Sequence, residues 1–493
     1  MNNHGGVNQG SGKVEKLKSG KVSVKLRSVK LRSVKVGSVK VRSVKYAVVI
    51  ATILLVAIAS RAGAQVPAAG VIAFTGARVI DGTGSAPLEQ ATIVVTNGRI
   101  TAIGPAASVM PPAGATVINV AGKTIIPGLI NSHAHIDPDI SVNQGPYRDE
   151  MVRRLKTYAI YGVTSVMTLG FETYDEPEGF YLRDTQRLGI GPVATDAPRL
   201  YASGRPILFR PGPTGTETPD DARIDVQRHV PLRADFIKLH LDGVPVDLKP
   251  DVIAAAIDEA HKHNMSTAVH IIYLKDAKTA IERGVDVIAH SVRDLDIDAA
   301  TIAEMKRRNV AVIPTLVRDR SVFIYENLPD FFKDPFFLRG MPAYKHEVDV
   351  LSDPATQQRY RTNAGIQASK PQLAQGIKNL KVLLDAGIPI AMGSDSGSIP
   401  DRNLGRWVGY NEHAELEMMV AAGMTPMQAL VSATSTAARV MKIDGAGTLQ
   451  NGKWADLVVL NANPLTDIKN TRQIDAVYIG GRKVNMAGAA GTN

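Results

Sequence analysis

The sequence TIIPGLINSHAHID, residues 124–137, places two histidines directly after an apolar run of the kind that forms a buried β-strand. Side chains alternate faces along a strand, so His133 and His135 project to the same side. Two imidazole rings one strand step apart can bind a single divalent metal ion. Paired histidines are also common as ordinary hydrogen-bonded residues, so the rest of the chain must decide between the two interpretations.

This apolar run is the first of eight that alternate with helical segments. The other runs are residues 164–169, 198–202, 235–241, 266–270, 286–290, 310–316 and 388–393. Helical periodicity lies between most of them, in Val252–His263, Ala277–Arg283, Ala299–Arg307 and Leu373–Ala386. Parallel strands need such long connections, and the helices then cover the outside of the sheet. The pattern predicts an α/β fold with a (β/α)8 TIM-like barrel, with a doubly wound open sheet as the alternative.

Both chain ends have a different pattern, which is typical of short antiparallel strands. Asn97-Gly98 separates two alternating segments and supplies the positive φ angles of a two-residue hairpin turn. Similar segments return at Trp454–Leu460 and Val477–Val484. We therefore predict a small β-sandwich domain formed by residues 65–123 and 441–487, with the barrel in residues 124–440.

The formal net charge of +10 first suggests a protein that binds nucleic acid or a membrane surface. Residues 1–61 contain thirteen Lys and Arg against one acid, which leaves the rest of the chain at −2. We therefore expect no nucleic-acid partner for the folded body. The repeated Ser-Val-Lys of residues 1–45 indicates a basic, low-complexity leader.

Residues 46–64 combine a short apolar stretch with small residues at Ala62 and Ala64, as a secretory signal does. We predict cleavage after Ala64 and a secreted or periplasmic mature protein that begins near Gln65. An uncleaved leader that anchors the chain in a membrane is the alternative. The chain has no cysteine, which excludes disulfides and thiolate metal ligands.

Polar residues interrupt the apolar runs where a barrel would place its active site, at the C-terminal ends of the strands. Each of them could instead cap a strand or helix, but their common placement favours one central site. These candidates are His133, His135, Lys238, His270, His290 and Asp395.

Lys238 requires a specific explanation, because a buried ammonium group is costly unless it is paired. Beside metal cations, its amine is best accommodated after reaction with CO2, since the resulting carbamate is an anionic oxygen donor that can bridge two ions. His240 is the rival ligand on the same face of the strand. We prefer to interpret His240 as a pocket histidine.

Several segments together make the chain resemble the amidohydrolase superfamily over residues 72–487. Within it, the sequence is similar to the imidazolonepropionase-like branch, which includes prolidase-like dipeptidases and ochratoxinase. The matching segments are Gly76–Gly84, Ile126–His135, Gly162–Val166, Ala234–Lys238, Gly284–Ser291, Gly393–Gly397, Gly423–Leu430 and Ala455–Leu460.

The resemblance implies a binuclear metal site. His133, His135 and Asp395 would hold the more buried ion, and His270 and His290 the second. Carboxylated Lys238 and a hydroxide would bridge the two, and Asp395 would carry a proton from the water to the leaving amine. Zinc is the preferred ion, with manganese or cobalt as alternatives.

The reaction that this site implies is hydrolysis of an amide or peptide bond in a small substrate, such as a dipeptide or an N-acyl amino acid. Deamination is disfavoured because no acid follows His270 in Ile271–Leu274. Lactones, esters, carbamates, phosphotriesters and cyclic amides remain alternatives for the same nucleophile. A metal-free binding protein on a retained barrel is the alternative from a different functional class.

Substrate specificity is expected to depend on loops outside these segments. Arg205 and Arg210 could bind a substrate carboxylate, or they could be surface charges. The aromatic segment Phe323–Asp349 could cover the pocket, pack as a satellite core, or form a homo-oligomer contact.

Overall fold

The computed structural model describes residues 70–137, 147–170, 178–212, 215–243, 247–397 and 404–486. The predicted leader at residues 1–45 and the predicted signal segment at residues 46–64 lie outside the described residues. Within the described ranges, no helix is both long enough and apolar enough to cross a membrane.

The strands of the described ranges belong to three sheets. In chain order they are β1 Ile72–Val79, β2 Leu88–Thr96, β3 Arg99–Pro105, β4 Thr116–Asn119, β5 Thr124–Pro127, β6 Leu129–Ala134, β7 Val163–Thr168, β8 Arg199–Ala202, β9 Ile207–Leu208, β10 Phe236–His240, β11 Ser266–His270, β12 Val287–Ala289, β13 Ala311–Ile313, β14 Leu457–Leu460, β15 Ile474–Ile479 and β16 Arg482–Lys483.

Helices connect the parallel strands and follow the seventh one. The α-helices are Tyr147–Ile160, Glu178–Arg187, Pro219–His229, Pro250–Lys262, Leu274–Glu282, Ala299–Arg308, Leu316–Ser321, Pro335–Leu338, Met341–Ser352, Pro354–Thr362, Ala364–Gln367, Ser369–Asp385, Tyr410–Ala421, Pro426–Val431 and Ala437–Val440. Ile324–Glu326, Asp330–Lys333 and Ile468–Arg472 are 3-10 helices, and Ser432–Thr436 is a π-helical turn.

Strands from both chain ends share one eight-stranded sheet, in the order β16-β15-β14-β5-β1-β2-β3, with β4 beside β1. The predicted Asn97-Gly98 turn joins β2 to β3, and both residues have positive φ angles, 52° and 77°. The rings of Phe74 on β1 and Tyr478 on β15 lie 4.8 Å apart. Because two strands separate β1 from β15 in the sheet, this contact indicates that the sheet curls around its own core. The two chain ends therefore share one sheet around a common core, and the assignment of a small β-sandwich domain to residues 65–123 and 441–487 stays a prediction.

The predicted first strand, residues 124–130, is divided at Gly128. Residues 124–127 form β5, which pairs with β1 and β14, and the first parallel strand begins only at Leu129. The amide of Gly128 donates to the carbonyl of Asp456 at 2.9 Å, and a Cβ atom here would overlap the side chain of Thr164. The chain thus passes from one sheet to the next where only glycine fits, and residues 124–127 belong to the first sheet.

The other strands form two parallel sheets, β6-β7-β8 and β13-β12-β11-β10-β9. Seven of the eight predicted runs contain a strand of these sheets, while residues 388–393 form only an isolated bridge between Ile390 and Val312. A second bridge joins Ser396 to Ala134 of β6. Asp395, with a φ of 52°, interrupts a regular eighth strand. The backbone hydrogen bonds of the described residues therefore do not form one closed barrel ladder.

Side-chain packing nevertheless follows the predicted barrel. One apolar cluster receives residues from all eight runs: Ile130, Met167, Tyr201, Phe236, Ala268, Val287, Ala311 and Ala391. Alternate residues such as Ile237 and Leu239 belong to a separate cluster with the surrounding helices. This alternation gives an interior filled by side chains and an outer helical layer, as in barrel proteins.

Candidate metal centre

The six predicted ligands lie close to one another at the C-terminal ends of the parallel strands. His133 lies near the end of β6, Lys238 lies within β10, and His270 is the last residue of β11. His290 follows β12, and Asp395 lies in the eighth run. The sequence prediction that these residues share one end of the barrel agrees with their positions in the structure.

His133, His135 and Asp395 form a buried group whose potential ligand atoms all lie within 4.8 Å of one another. Oδ1 of Asp395 is 2.9 Å from Nε2 of His135 and 3.6 Å from Nε2 of His133. Among the described residues, this oxygen makes no hydrogen bond of acceptable geometry. Two imidazoles and one carboxylate oxygen that converge in this way match the donors that zinc uses in proteins.

His270 and His290 extend the group on its other side. The ring centres of His270 and His290 are 4.3 Å apart, and His290 is 4.7 Å from His133. Nδ1 of His290 lies at a hydrogen-bond distance of 2.7 Å from Oγ1 of Thr315, which leaves Nε2 available to a metal ion.

Three residues of this region have left-handed backbone conformations, which are costly for residues other than glycine. The φ angles are 77° for His290, 51° for Thr315 and 52° for Asp395. Such conformations persist only where the surrounding structure holds them, and they are concentrated at functional sites.

Lys238 lies inside the barrel, on the same face of β10 as the core residue Phe236. Only 2% of the residue is exposed, and its Nζ makes no hydrogen bond to any residue that the structure describes. Burial lowers the pKa of this amine to about 7, and the positive charge of Arg318 adds to that effect against the attraction of Asp395. In a substantial fraction of the molecules the amine of Lys238 is therefore neutral at pH 7. The neutral amine is the form that reacts with CO2.

The second oxygen of Asp395 is held by two arginines that the sequence analysis did not single out. Oδ2 lies 3.0 Å from Nη1 of Arg406 and 3.5 Å from Nε of Arg318. Burial alone would raise the pKa of Asp395, but Arg406, His133 and His135 hold it well below its ordinary value. Asp395 is therefore ionised at neutral pH.

A buried polar network fixes β6 against the eighth run. Oε1 of Glu412 accepts hydrogen bonds from Asn131 at 2.6 Å, Ser394 at 2.5 Å and Ser396 at 2.6 Å. Oδ1 of Asn131 also accepts from the backbone amide of His133 at 3.0 Å. These bonds hold the segments that carry His133, His135 and Asp395 in fixed register.

Comparison with known proteins identifies the family of this chain. Residues 124–484 match the model of the amidohydrolase family, well over half of the chain. The chain belongs to the amidohydrolase family. It is accordingly a hydrolase that acts on carbon–nitrogen bonds.

Relatives of this amidohydrolase span most of its length. An uncharacterized protein of Mycobacterium tuberculosis is 25% identical, with 79% of this chain and 90% of the relative covered. An imidazolonepropionase of Geobacillus kaustophilus is 24% identical, and the match covers 76% of this chain and 84% of the relative. A solved structure provisionally named a prolidase, from Bifidobacterium longum, is 26% identical with a TM-score of 0.67. The match covers 85% of this chain and 95% of that one. These likenesses support a TIM-type barrel with an additional domain.

Amidohydrolases typically bind metal ions, and the side chains present here fit that requirement. Oδ1 of Asp395 and Nζ of Lys238 are buried polar atoms that lack hydrogen bonds within the described part of the chain. Burial lowers the pKa of His133, His270 and His290 well below the ordinary value, so these imidazoles are in the neutral form that binds metal. A metal ion is the ligand that would satisfy all of these groups together.

The predicted substrate residues occupy different positions. The half-buried ring of His240 stacks on His270 at 3.9 Å, and with Asp242 these two histidines form a second group of potential ligands. The loop after β8 contains Arg205 and Arg210, both half-buried. The roles of His240, Arg205 and Arg210 stay predictions.

The aromatic segment after the seventh run packs into the large apolar cluster of the helical layer, not into a separate satellite core. Phe332 and Phe337 contact Trp407, with ring centres 5.7 Å and 5.1 Å away. Phe331 stacks on Tyr410 at 5.2 Å. Of the alternatives weighed for this segment, the structure favours internal packing, which supports the loop that carries Arg406.

Proposed function

We propose that this amidohydrolase uses two divalent metal ions to hydrolyse an amide or peptide bond in a small substrate, either a dipeptide or an N-acyl amino acid. The amine of Lys238 carries the proposal: it is buried among His133, His270 and His290 and has no hydrogen-bond partner in the described part of the chain. A carbamate on this amine would supply the bridging oxygens that a second ion needs.

Each residue then has a definite task. One ion would be held by His133, His135 and Asp395. The other ion would be held by His270 and His290. Carboxylated Lys238 would bind both ions. Bound zinc, or alternatively manganese or cobalt, would polarise the scissile carbonyl and lower the pKa of water.

Asp395 would accept the proton of the attacking water and donate it to the leaving amine. Its low pKa keeps the carboxylate ionised and ready to accept this proton. Arg406 would hold the carboxylate in place through Oδ2, 3.0 Å away, while Oδ1 faces the histidines.

The experiment that tests this function is a screen of the metal-loaded protein against N-acyl amino acids and dipeptides, with a lactone and a phosphotriester as controls. We expect turnover of amides to exceed turnover of both controls. Lys238→Ala should lose at least one metal ion and nearly all turnover, and short carboxylic acids should restore part of it. Full activity in Lys238→Ala, or preferred cleavage of a control substrate, would contradict the proposal.

We also propose that the protein is exported, with cleavage of the leader after Ala64. The charge and apolar pattern of residues 1–64 supports this proposal. Mass spectrometry of protein recovered from the host should give an N-terminus near Gln65. Recovery of the Ser-Val-Lys repeats in a membrane fraction would favour the uncleaved anchor instead.

A further inference from the structure

Three arginines are gathered beside the metal centre, with too few carboxylates to pair them. Arg293 and Arg318 both donate to Oδ1 of Asp319, and Arg318 and Arg406 both approach Oδ2 of Asp395. Within the described residues, these three positive charges thus share two carboxylates at ion-pair distance, while Asp242 acts on Arg318 from farther away. Asp395 is also the predicted metal ligand. Within the described residues, the Nε atom of each arginine makes no hydrogen bond. Buried cations that lack partners are costly, so the cluster is suited to an anionic ligand.

Arg406 is fixed in its contact with Asp395. The hydroxyl of Tyr325 donates to the carbonyl of Gly405 at 2.9 Å and accepts from Nε1 of Trp407 at 2.8 Å, so both neighbours of Arg406 are held. Only 1% of the Arg406 side chain is exposed. Because Arg406 is the closer arginine to Asp395, we expect it to keep this contact when a metal ion is bound.

Arg318 is held just as firmly but remains accessible. Glu415 accepts the backbone amides of Leu316 and Val317 at 2.9 Å and 2.6 Å, which fixes the start of the short helix that carries Arg318. Nη1 of Arg318 donates to Asp319 at 2.8 Å, and 17% of the Arg318 side chain is exposed.

The guanidinium of Arg318 therefore has one edge that donates to Asp319 and a second edge that faces Asp395. The second edge is formed by Nε and Nη2; within the described ranges, Nε makes no hydrogen bond and lies 3.5 Å from Oδ2 of Asp395. These two N–H groups are parallel, as paired recognition of a carboxylate requires.

We propose that Arg318 binds a carboxylate of the substrate and so makes this enzyme selective for anionic amides. This inference rests on the proposed function and specifies its substrate class: the carboxylate lies within one or two bonds of the scissile amide, as in dipeptides and N-acyl amino acids. Arg318, rather than Arg205 or Arg210, then determines specificity, because it lies beside Asp395 and is more exposed than Arg406, the other arginine there.

The test uses pairs of substrates that differ only in charge, such as an N-acyl amino acid and its carboxamide. Wild type should prefer the acid, and Arg318→Gln should lower the ratio of kcat/KM for acid over amide by about 10- to 100-fold, since a hydrogen bond to a charged group contributes about 1.5–3 kcal/mol. The loss should lie mainly in KM for the acid. Arg318→Lys should recover part of the preference, since it keeps the charge but not the paired geometry.

Arg320→Gln is the matched control, because Arg320 lies on the same helix and makes no ion pair with Asp319 or Asp395 among the described residues. Its acid-to-amide ratio should equal that of wild type. An unchanged ratio in Arg318→Gln, or an equal decrease in Arg320→Gln, would overturn the proposal.

Failure of this inference can be distinguished from failure of the proposed function. If no amide is hydrolysed, the proposed function fails, but calorimetric titration of the metal-loaded protein with the same acid and carboxamide still tests Arg318. Tighter binding of the acid in wild type, lost in Arg318→Gln at unchanged metal content, supports the inference. Equal affinity of wild type for both ligands contradicts it.

Discussion

Replacing Lys238 by methionine should make the metal-free protein more stable at pH 7 while it removes the metal-dependent activity. Methionine has a similar length and no charge, so it suits a position beside Phe236 and Ala268 in the barrel interior. Burial lowers the pKa of the Lys238 amine from 10.5 to about 7. That difference corresponds to about 5 kcal/mol of unfavourable free energy for a buried ammonium.

The sign of the pH dependence follows from proton binding. Between pH 7 and pH 10.5 the unfolded chain keeps a proton on this lysine and the folded chain loses it, so stability rises with pH. From pH 7 to pH 9 the gain for wild type is about 2 kcal/mol. Lys238→Met lacks this gain, so its stability advantage over wild type should shrink by the same amount.

The assay is denaturant unfolding of both proteins at pH 7, 8 and 9, after chelation and in buffer free of CO2. Lys306→Met, at an exposed helical position, is the matched control and should differ little from wild type at every pH. The reasoning about the buried amine is wrong if Lys238→Met is not more stable than wild type at pH 7. It is also wrong if the stability difference between the two proteins is the same at pH 9 as at pH 7.

Three further changes test other parts of the structure. Asp395→Asn should lower kcat far more than it changes KM, and steady-state kinetics with an unchanged kcat would remove Asp395 as the proton carrier. Glu412→Ala leaves three buried donors without their acceptor and should weaken metal binding by about 10- to 100-fold in chelator competition. Unchanged metal affinity would exclude this network from the support of the site. Gly128→Ala should lower the free energy of unfolding by about 1–3 kcal/mol, because its Cβ atom would overlap the side chain of Thr164. Gly70→Ala is the control: its Cβ atom would meet open space, so denaturant unfolding should show little change.

The sequence was sufficient to place the barrel runs and both chain ends because hydrophobic periodicity reflects which face is buried. The predicted helix Ala299–Arg307, for example, is observed as Ala299–Arg308. Periodicity does not indicate which sheet a strand joins, so the division at Gly128 was missed. It also does not report backbone hydrogen bonding, so the irregular segment around Asp395 was taken for an eighth strand.

The candidate ligands could be predicted because histidine, lysine and aspartate stand out within apolar runs. Arg318 lies two residues beyond the seventh run, and this position was a usable signal that was not followed. Arg406 and Glu412 gave no such signal, because they lie beyond the eighth run in a segment without barrel periodicity. Their contacts with Asp395 and Asn131 depend on tertiary packing that no local pattern encodes.

The measurement that tests the two-metal site most directly is the metal content of the zinc-loaded protein, determined together with mass spectrometry of Lys238 under native conditions. We predict two ions per chain and a lysine heavier by one CO2 in wild type, and we expect Lys238→Ala to lose both the mass increase and at least one ion. One ion per chain in wild type, or two ions retained in Lys238→Ala, would contradict this prediction.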